Sequence, residues 1–155
     1  MSESPLRPFA PAGEDFRWAA VDLTRYKEEG AAPFRDVTRQ TLFRRADMRC
    51  ELRYFEVAAG GHSTLERHRH AHAVMVLRGH GAVLIGADVF PLKEFDLVTV
   101  PPSTWHQFRA TADTPLGFLC MVDAERDKPE LPDARELKHL RASPAAAAFL
   151  DSPGD

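Results

Sequence analysis

Apolar residues in this chain fall in short runs closed by glycine, proline or charged pairs, and from Cys50 onward almost every run has the length of a strand. Glu51-Leu52-Arg53-Tyr54-Phe55-Glu56-Val57 alternates with a period of two and predicts a strand that ends at Ala58-Ala59-Gly60-Gly61. Val74–Leu77, Ala82–Ile85, Val89–Leu92, Leu97–Val100, His106–Arg109 and Leu116–Val122 predict further strands. The turns between them fall at Gly79-His80-Gly81, Gly86-Ala87-Asp88, Lys93-Glu94, Pro101-Pro102 and Asp113-Thr114-Pro115. Pro91 has no amide proton to give to a ladder, which predicts an edge or short strand there. Such a succession predicts an all-β barrel or sandwich rather than a doubly wound helix-sheet fold.

The pattern is weaker at both ends. Residues 1 to about 16 carry Pro5, Pro8, Pro11 and Gly13 and read as an arm. Val21, Leu23, Val37, Thr41 and Phe43 suggest short extended pieces around a Gly30–Pro33 break. Beyond Asp123 the chain is charged and interrupted by Pro129 and Pro132, and Ala145–Leu150 makes at most a short helix after Pro144. This end either covers the barrel or trails from it. Three segments result: an arm with possible dimerisation strands over 1–43, a barrel over 44–123 and an extension over 124–155.

The 155 residues suffice for one core, burying roughly two-thirds of the extended chain's surface. A net charge of −3 supplies no global field for nucleic acid or anionic membrane. Arg35, Arg39, Arg44, Arg45, Arg49 and Arg53 cluster, but Asp36, Asp47 and Glu51 interrupt them, and the group reads as a solvated face. Cys50 and Cys120 do not form the dense pattern of a disulfide scaffold. The N-terminus lacks the basic-then-apolar order of a signal peptide, and no apolar run approaches the ~20 residues of a membrane span. A cytoplasmic protein is the expectation.

The concentrated chemistry lies in Glu66-Arg67-His68-Arg69-His70-Ala71-His72. In an unbroken extended segment Glu66, His68, His70 and His72 point to one face. Imidazole and carboxylate suit one divalent transition metal, from among Fe, Mn, Ni, Zn, Co and Cu, and the lack of a CxxC pair argues against a zinc knuckle or iron–sulfur centre. His62 and His80 lie beside glycine turns, and His139 in the charged C-terminal region; all three read as surface residues.

The run resembles the first motif of the cupin superfamily, G-x5-H-x-H-x3/4-E-x6-G, from Gly60 through Glu66, His68 and His72 to Gly79. The spacings agree while the ligand types are permuted, Glu66 standing for the first histidine and His72 for the glutamate. The second motif, G-x5-P-x-G-x2-H-x3-N, matches at Pro101 and His106, with Phe95, Ser103 and Ala110 in place of its glycines and asparagine. The resemblance spans about Leu52 to Val122 and implies a jelly-roll barrel with short irregular or helical terminal segments. It implies Glu66, His68, His72 and His106 as metal ligands. His70 is the alternative, either a ligand in a four-histidine site or a neighbour of one.

In a barrel either Leu52/Tyr54/Glu56 or Arg53/Phe55/Val57 faces inward, and the family register brings the first set into consideration. Arg53, Trp105, Phe108 and Cys120 are candidate pocket residues, with Trp105 shielding the metal and Arg53 or Arg109 binding a substrate carboxylate. The resemblance implies a small organic ligand and a metal-dependent dioxygenase, with Glu66 exchanging a proton. It leaves open a metal-dependent isomerase or decarboxylase, or a non-catalytic sensor. It also implies a homodimer.

Overall fold

A computed structural model describes residues 5–25 and 35–152, the side chain of Arg35 excepted. The Gly30–Pro33 break lies outside the described residues. On either side of it are β1 (Thr24–Arg25) and β2 (Arg35–Arg44), followed by β3 (Cys50–His62), β4 (His72–Gly79), β5 (Gly81–Ile85) and β6 (Asp88–Leu92). Then come β7 (Leu97–Val100), β8 (His106–Ala110), β9 (Leu116–Asp123), α1 (Ala134–Leu140) and α2 (Pro144–Asp151). The runs read from the sequence recur as strands within a residue or two, except β3.

Rather than stopping at Ala58, β3 continues to His62, because Gly60 takes φ +71° and bends the strand without ending it. The bend joins the two halves of the barrel. Before it β3 pairs antiparallel with β2 and β9; beyond it His62 pairs with Arg35 of β2, after a register shift, and with Arg109 of β8. The sheet order is β6-β5-β8-β3-β9-β4-β7, with β2 and then β1 branching from β3, so it curls into a jelly roll. As Pro91 predicts, β6 is an edge. Gly79, at φ +70°, is needed where it stands, because a Cβ there would strike the carbonyl oxygen of Pro115.

The barrel interior is apolar: Val57, Val74, Val76, Val83 and Val100 are fully buried, and the rings of Phe55, Phe118 and Phe108 stack in series. Burying side chains of this size stabilises by about 1.5–3 kcal/mol each. Arg53, Phe55 and Val57 are the inward set of β3. Tyr54 is nonetheless buried, because the N-terminal arm lays Phe16 and Trp18 on the outer face, with ring centroids 6.1 and 5.1 Å from it. The hydroxyl of Tyr54 donates to Glu56, which also holds Arg78.

The C-terminal segment covers the outside of the other half. Asp133 and Glu136 form a capping box that starts α1, and Ser143 with Pro144 starts α2. Leu140, Ala146 and Phe149 pack with Leu65 and Leu84 in a second cluster, to which Ala82, Val89 and Trp105 add partly buried area. No helix among the described residues is long and apolar enough to cross a membrane.

Candidate metal centre

A main-chain bridge assembles the site. Glu66 and His106 exchange amide-to-carbonyl hydrogen bonds of 3.2 and 3.0 Å, and the amide of Ser103 donates to the carbonyl of His68 at 2.7 Å. The run before β4 is thereby held against the start of β8. Phe95 and Ser103, where the second motif has glycine, keep left-handed backbone at φ +70° and +55°. The bend is retained although the residue that adopts it freely is gone.

His68, His72 and His106 each bring one ligand nitrogen within 4.8 Å of the others, and His68 and His106 are buried. Nδ1 of His68 donates to the carbonyl of His70 at 2.8 Å, and Nδ1 of His106 to that of Thr104 at 2.9 Å. A carbonyl can only accept, so both rings keep a lone pair on Nε2. His72 Nδ1 lies 3.2 Å from Sγ of Cys120, while its Nε2 is buried with no hydrogen-bond partner. A buried nitrogen in that condition, within reach of two imidazole nitrogens, fits a metal ion.

Burial pushes His72 down to about 2 and His106 to about 4, and lowers His68 as well, with neighbouring histidines adding to each effect. All three are neutral at physiological pH, as coordination requires. The predicted one-sided row of four residues does not form, because the chain bends at Arg69 and His70. His70 stacks on His68 at 3.7 Å with the planes 3° apart and donates from Nδ1 to Asp127 at 2.9 Å. Asp127 also accepts the amide of Arg69, and these bonds hold its carboxyl well below the usual range. His70 therefore braces the site's rim. Glu66 is half-buried beside His106 and is not among the three mutually close ligands.

Of the pocket candidates, Cys120 and Arg53 lie at the site: Nη2 of Arg53 donates at 3.5 Å to the same Cys120 Sγ that His72 approaches. Burial raises the Cys120 thiol above its ordinary value, and the charge of Arg53 offsets only part of that. Phe108 belongs to the stacked core. Trp105 falls on the opposite face from His106, in the helix-covered cluster with the guanidinium of Arg67 4.4 Å from its ring centroid, so it does not shield the metal. Arg109 is likewise on the outer side, donating to the carbonyls of Leu150 and Ser152. Among the other histidines, His62 is half-buried and contacts Gln107, a correction to its surface assignment, while His80 is exposed. Asp127 was missed because nothing between Val122 and Asp127 signals that the chain returns to the histidines.

The sequence matches the Cupin_2 family model, described as a cupin domain, over residues 53–122. It is 61% identical over 145 residues to the 1-methylthio-D-xylulose 5-phosphate methylsulfurylase of Rhodospirillum rubrum, covering 94% of this chain and 93% of that one. A solved cupin-2 domain from Rhodospirillum rubrum superposes with a TM-score of 0.85 at 58% identity, covering 96% of this chain and 100% of that one. A cupin 2 conserved barrel protein from Rhodopseudomonas palustris gives 0.85 at 51%, with coverage of 93% and 97%. With its barrel, its motif glycines and its three converging histidines, the chain belongs to the cupin superfamily.

Proposed function

We propose that this protein is a metal-dependent methylsulfurylase that removes the methylthio group from a 1-methylthio ketose phosphate such as 1-methylthio-D-xylulose 5-phosphate. The observation that carries this reading is the thiol of Cys120 held between His72 and Arg53, inside the histidine site. The 61% identical relative supports it, and that relative's name denotes neither oxygenation nor isomerisation, so the dioxygenase expectation is replaced.

The substrate carries CH3–S–CH2–C(=O). The sulfur of Cys120, as thiolate, attacks the methylthio sulfur; the new S–S bond forms as the S–C1 bond breaks, and the electron pair passes through C1 to the ketone oxygen as an enolate. His68, His72 and His106 would hold a divalent metal, which would supply Lewis-acid stabilisation of an enolate. Two N–H donors, Nδ1 of His72 and Nη2 of Arg53, face the Cys120 sulfur and favour its anionic form. The proton that Cys120 gives up on forming the thiolate ends on C1, with Glu66 as the proposed carrier, giving the 1-deoxy ketose phosphate. An external thiol attacks the methyl disulfide on Cys120, regenerates the cysteine and leaves as its own methyl disulfide.

Metal-loaded protein and 1-methylthio-D-xylulose 5-phosphate, mixed without external thiol, are expected to give one equivalent of 1-deoxy ketose phosphate and a methylsulfanyl adduct on Cys120 by peptide mass spectrometry. Added thiol should make the reaction catalytic. Product that keeps its C–S bond, or whose formation consumes oxygen, would return the reading to an isomerase or an oxygenase. The homodimer also remains a proposal, supported by Met75, Leu97 and Met121, which stand exposed on the outer face of β4, β7 and β9. Light scattering showing a monomer at micromolar concentration would reject it.

A further inference from the structure

The run that carries His68 is hydrogen-bonded from two sides. On one side Glu66 is bridged to His106 and the carbonyl of His68 accepts the amide of Ser103, so the even-numbered residues face β8 and the turn before it. On the other side the odd-numbered residues face the segment after β9. Arg67 and Glu130 exchange amide-to-carbonyl bonds of 3.1 and 2.8 Å, and the amide of Arg69 donates to the carboxylate of Asp127 at 2.9 Å. The ligand run is thus the middle strand of a short ribbon whose outer strand is 127–130. Side chains repeat the connection. Nε of Arg67 donates to Glu130 at 2.7 Å, Nη2 of Arg67 lies 3.1 Å from Glu136 in the first turn of α1, and His70 donates to Asp127.

The two strands flanking the run are secured by different means. β8 lies inside the sheet between β5 and β3, with Phe108 in the core. In contrast, none of residues 124–130 is buried. Span 127–130 is attached to the run by hydrogen bonds and ion pairs, and the side chain of Glu130 is 55% exposed. Exposed pairs are individually weak, and a segment with little buried apolar area opens locally while the rest of the fold stays intact. Both ends of this segment are anchored: β9 pairs with β3 and β4, and α1 and α2 pack through Leu140 and Phe149. Opening between those anchors would strip the amides of Arg67 and Arg69 of their partners and release His70. The ring of His70 stacks on His68, and its carbonyl accepts Nδ1–H of His68, so a ligand would lose both its cover and its orientation.

We propose that 127–130 is a clasp over the metal centre, which opens to let the ion reach His68 and which a bound ion, by fixing His68, locks shut. The inference rests on the three-histidine centre and not on the methylsulfurylase reaction. His68 keeps its place between Ser103 and His70 only while Arg67 and Arg69, its neighbours in the chain, keep theirs against the clasp. By linkage, whatever affinity the ion gains from the closed clasp, the closed clasp gains in stability from the ion.

The test uses the full-length protein and Co(II) alone. Amide hydrogen exchange is followed with and without Co(II), and Co(II) dissociation is timed by transfer to excess chelator. In metal-free protein the amides of Arg67, Arg69 and Glu130 are expected to exchange faster than those of Glu66 and His106. Saturating Co(II) should slow the first three about tenfold or more, a larger factor than at β5 and β6. Glu130→Pro, which removes the amide bonded to Arg67, should speed Co(II) dissociation about tenfold or more, and Glu130→Gln, which keeps that amide, about threefold or less. Exchange at Arg67, Arg69 and Glu130 that is indifferent to bound Co(II) would overturn the clasp, as would an unchanged dissociation rate in Glu130→Pro. Exchange in the wild type decides the matter even if Glu130→Pro does not fold. Wild-type protein that takes up no Co(II) would remove the metal centre and the clasp together, whereas tight Co(II) beside an indifferent clasp would sink this inference alone.

Discussion

Trp105 and His106 are adjacent in the chain and face opposite sides of the curled sheet. His106 enters the barrel, gives Nδ1–H to a carbonyl and presents its other nitrogen to His68 and His72. Trp105 joins Leu84, Leu140 and Phe149 beneath the C-terminal helices, with Arg67 across its ring. Both are shielded from solvent, yet one face collects groups that need a ligand and the other groups already satisfied by packing. Burial alone does not mark a functional residue; what sets the inner face apart is His72 Nε2, buried without a hydrogen-bond partner within reach of two other imidazoles.

Substitutions on the two faces should separate chemistry from stability. The largest effect is expected from Cys120→Ala, which should lower turnover of the methylthio ketose phosphate by about 10⁴-fold or more while the protein still binds metal. Mass spectrometry should then find no methylsulfanyl adduct. His106→Ala should weaken metal binding by more than about 100-fold, read by competition with a chelator, with β8 still folded by circular dichroism. Trp105→Ala should do the reverse: a loss of about 2–4 kcal/mol in chemical denaturation with stoichiometric metal retained. Metal lost from Trp105→Ala at unchanged stability would dissolve the distinction between the faces.

Acid sharpens the comparison further. The histidines of an unfolded chain protonate near pH ~6.5, whereas burial holds His106 neutral to about 4 and His72 to about 2. Below pH ~6.5 the unfolded state therefore binds protons that the folded state refuses, and stability falls as pH falls. Metal-free protein should lose about 5 °C or more in Tm between pH 7 and 5, and His106→Gln should flatten that slope. The smallest effect is expected at the rim: Asp127→Asn should weaken metal binding by about tenfold or less, because it touches the site through His70 and the amide of Arg69 and not through a ligand side chain. An unchanged affinity would leave His70 and Asp127 a purely structural pair.

Much of this was legible in the sequence because strands announce themselves by alternation and the motif glycines mark real backbone needs. Gly60 and Gly79 both have positive φ, and the ligand spacing between them placed His68 and His72 at the site ahead of the more conspicuous His70. What stayed hidden depended on contacts between distant segments. A period of two could not reveal the bend at Arg69–His70, since that bend is secured by Asp127, 57 residues away from His70. The inward register of β3 was ambiguous for a related reason: Tyr54 is buried by an arm whose own sequence carries no periodicity. The arginine cluster looked solvated because spacing along the chain does not show which members cross the sheet.

The segment after β9 carries a consequence for how such proteins diverge. Arg126, Asp127 and Glu130 lie beyond the last residue of the family match, yet they touch Glu51, His70 and Arg67 around the barrel mouth. The three converging histidines lie within the family match, whereas part of the rim that braces them is carried by the segment after it. Grafting 124–130 between relatives would therefore be a way to alter the rim while leaving the three histidines in place.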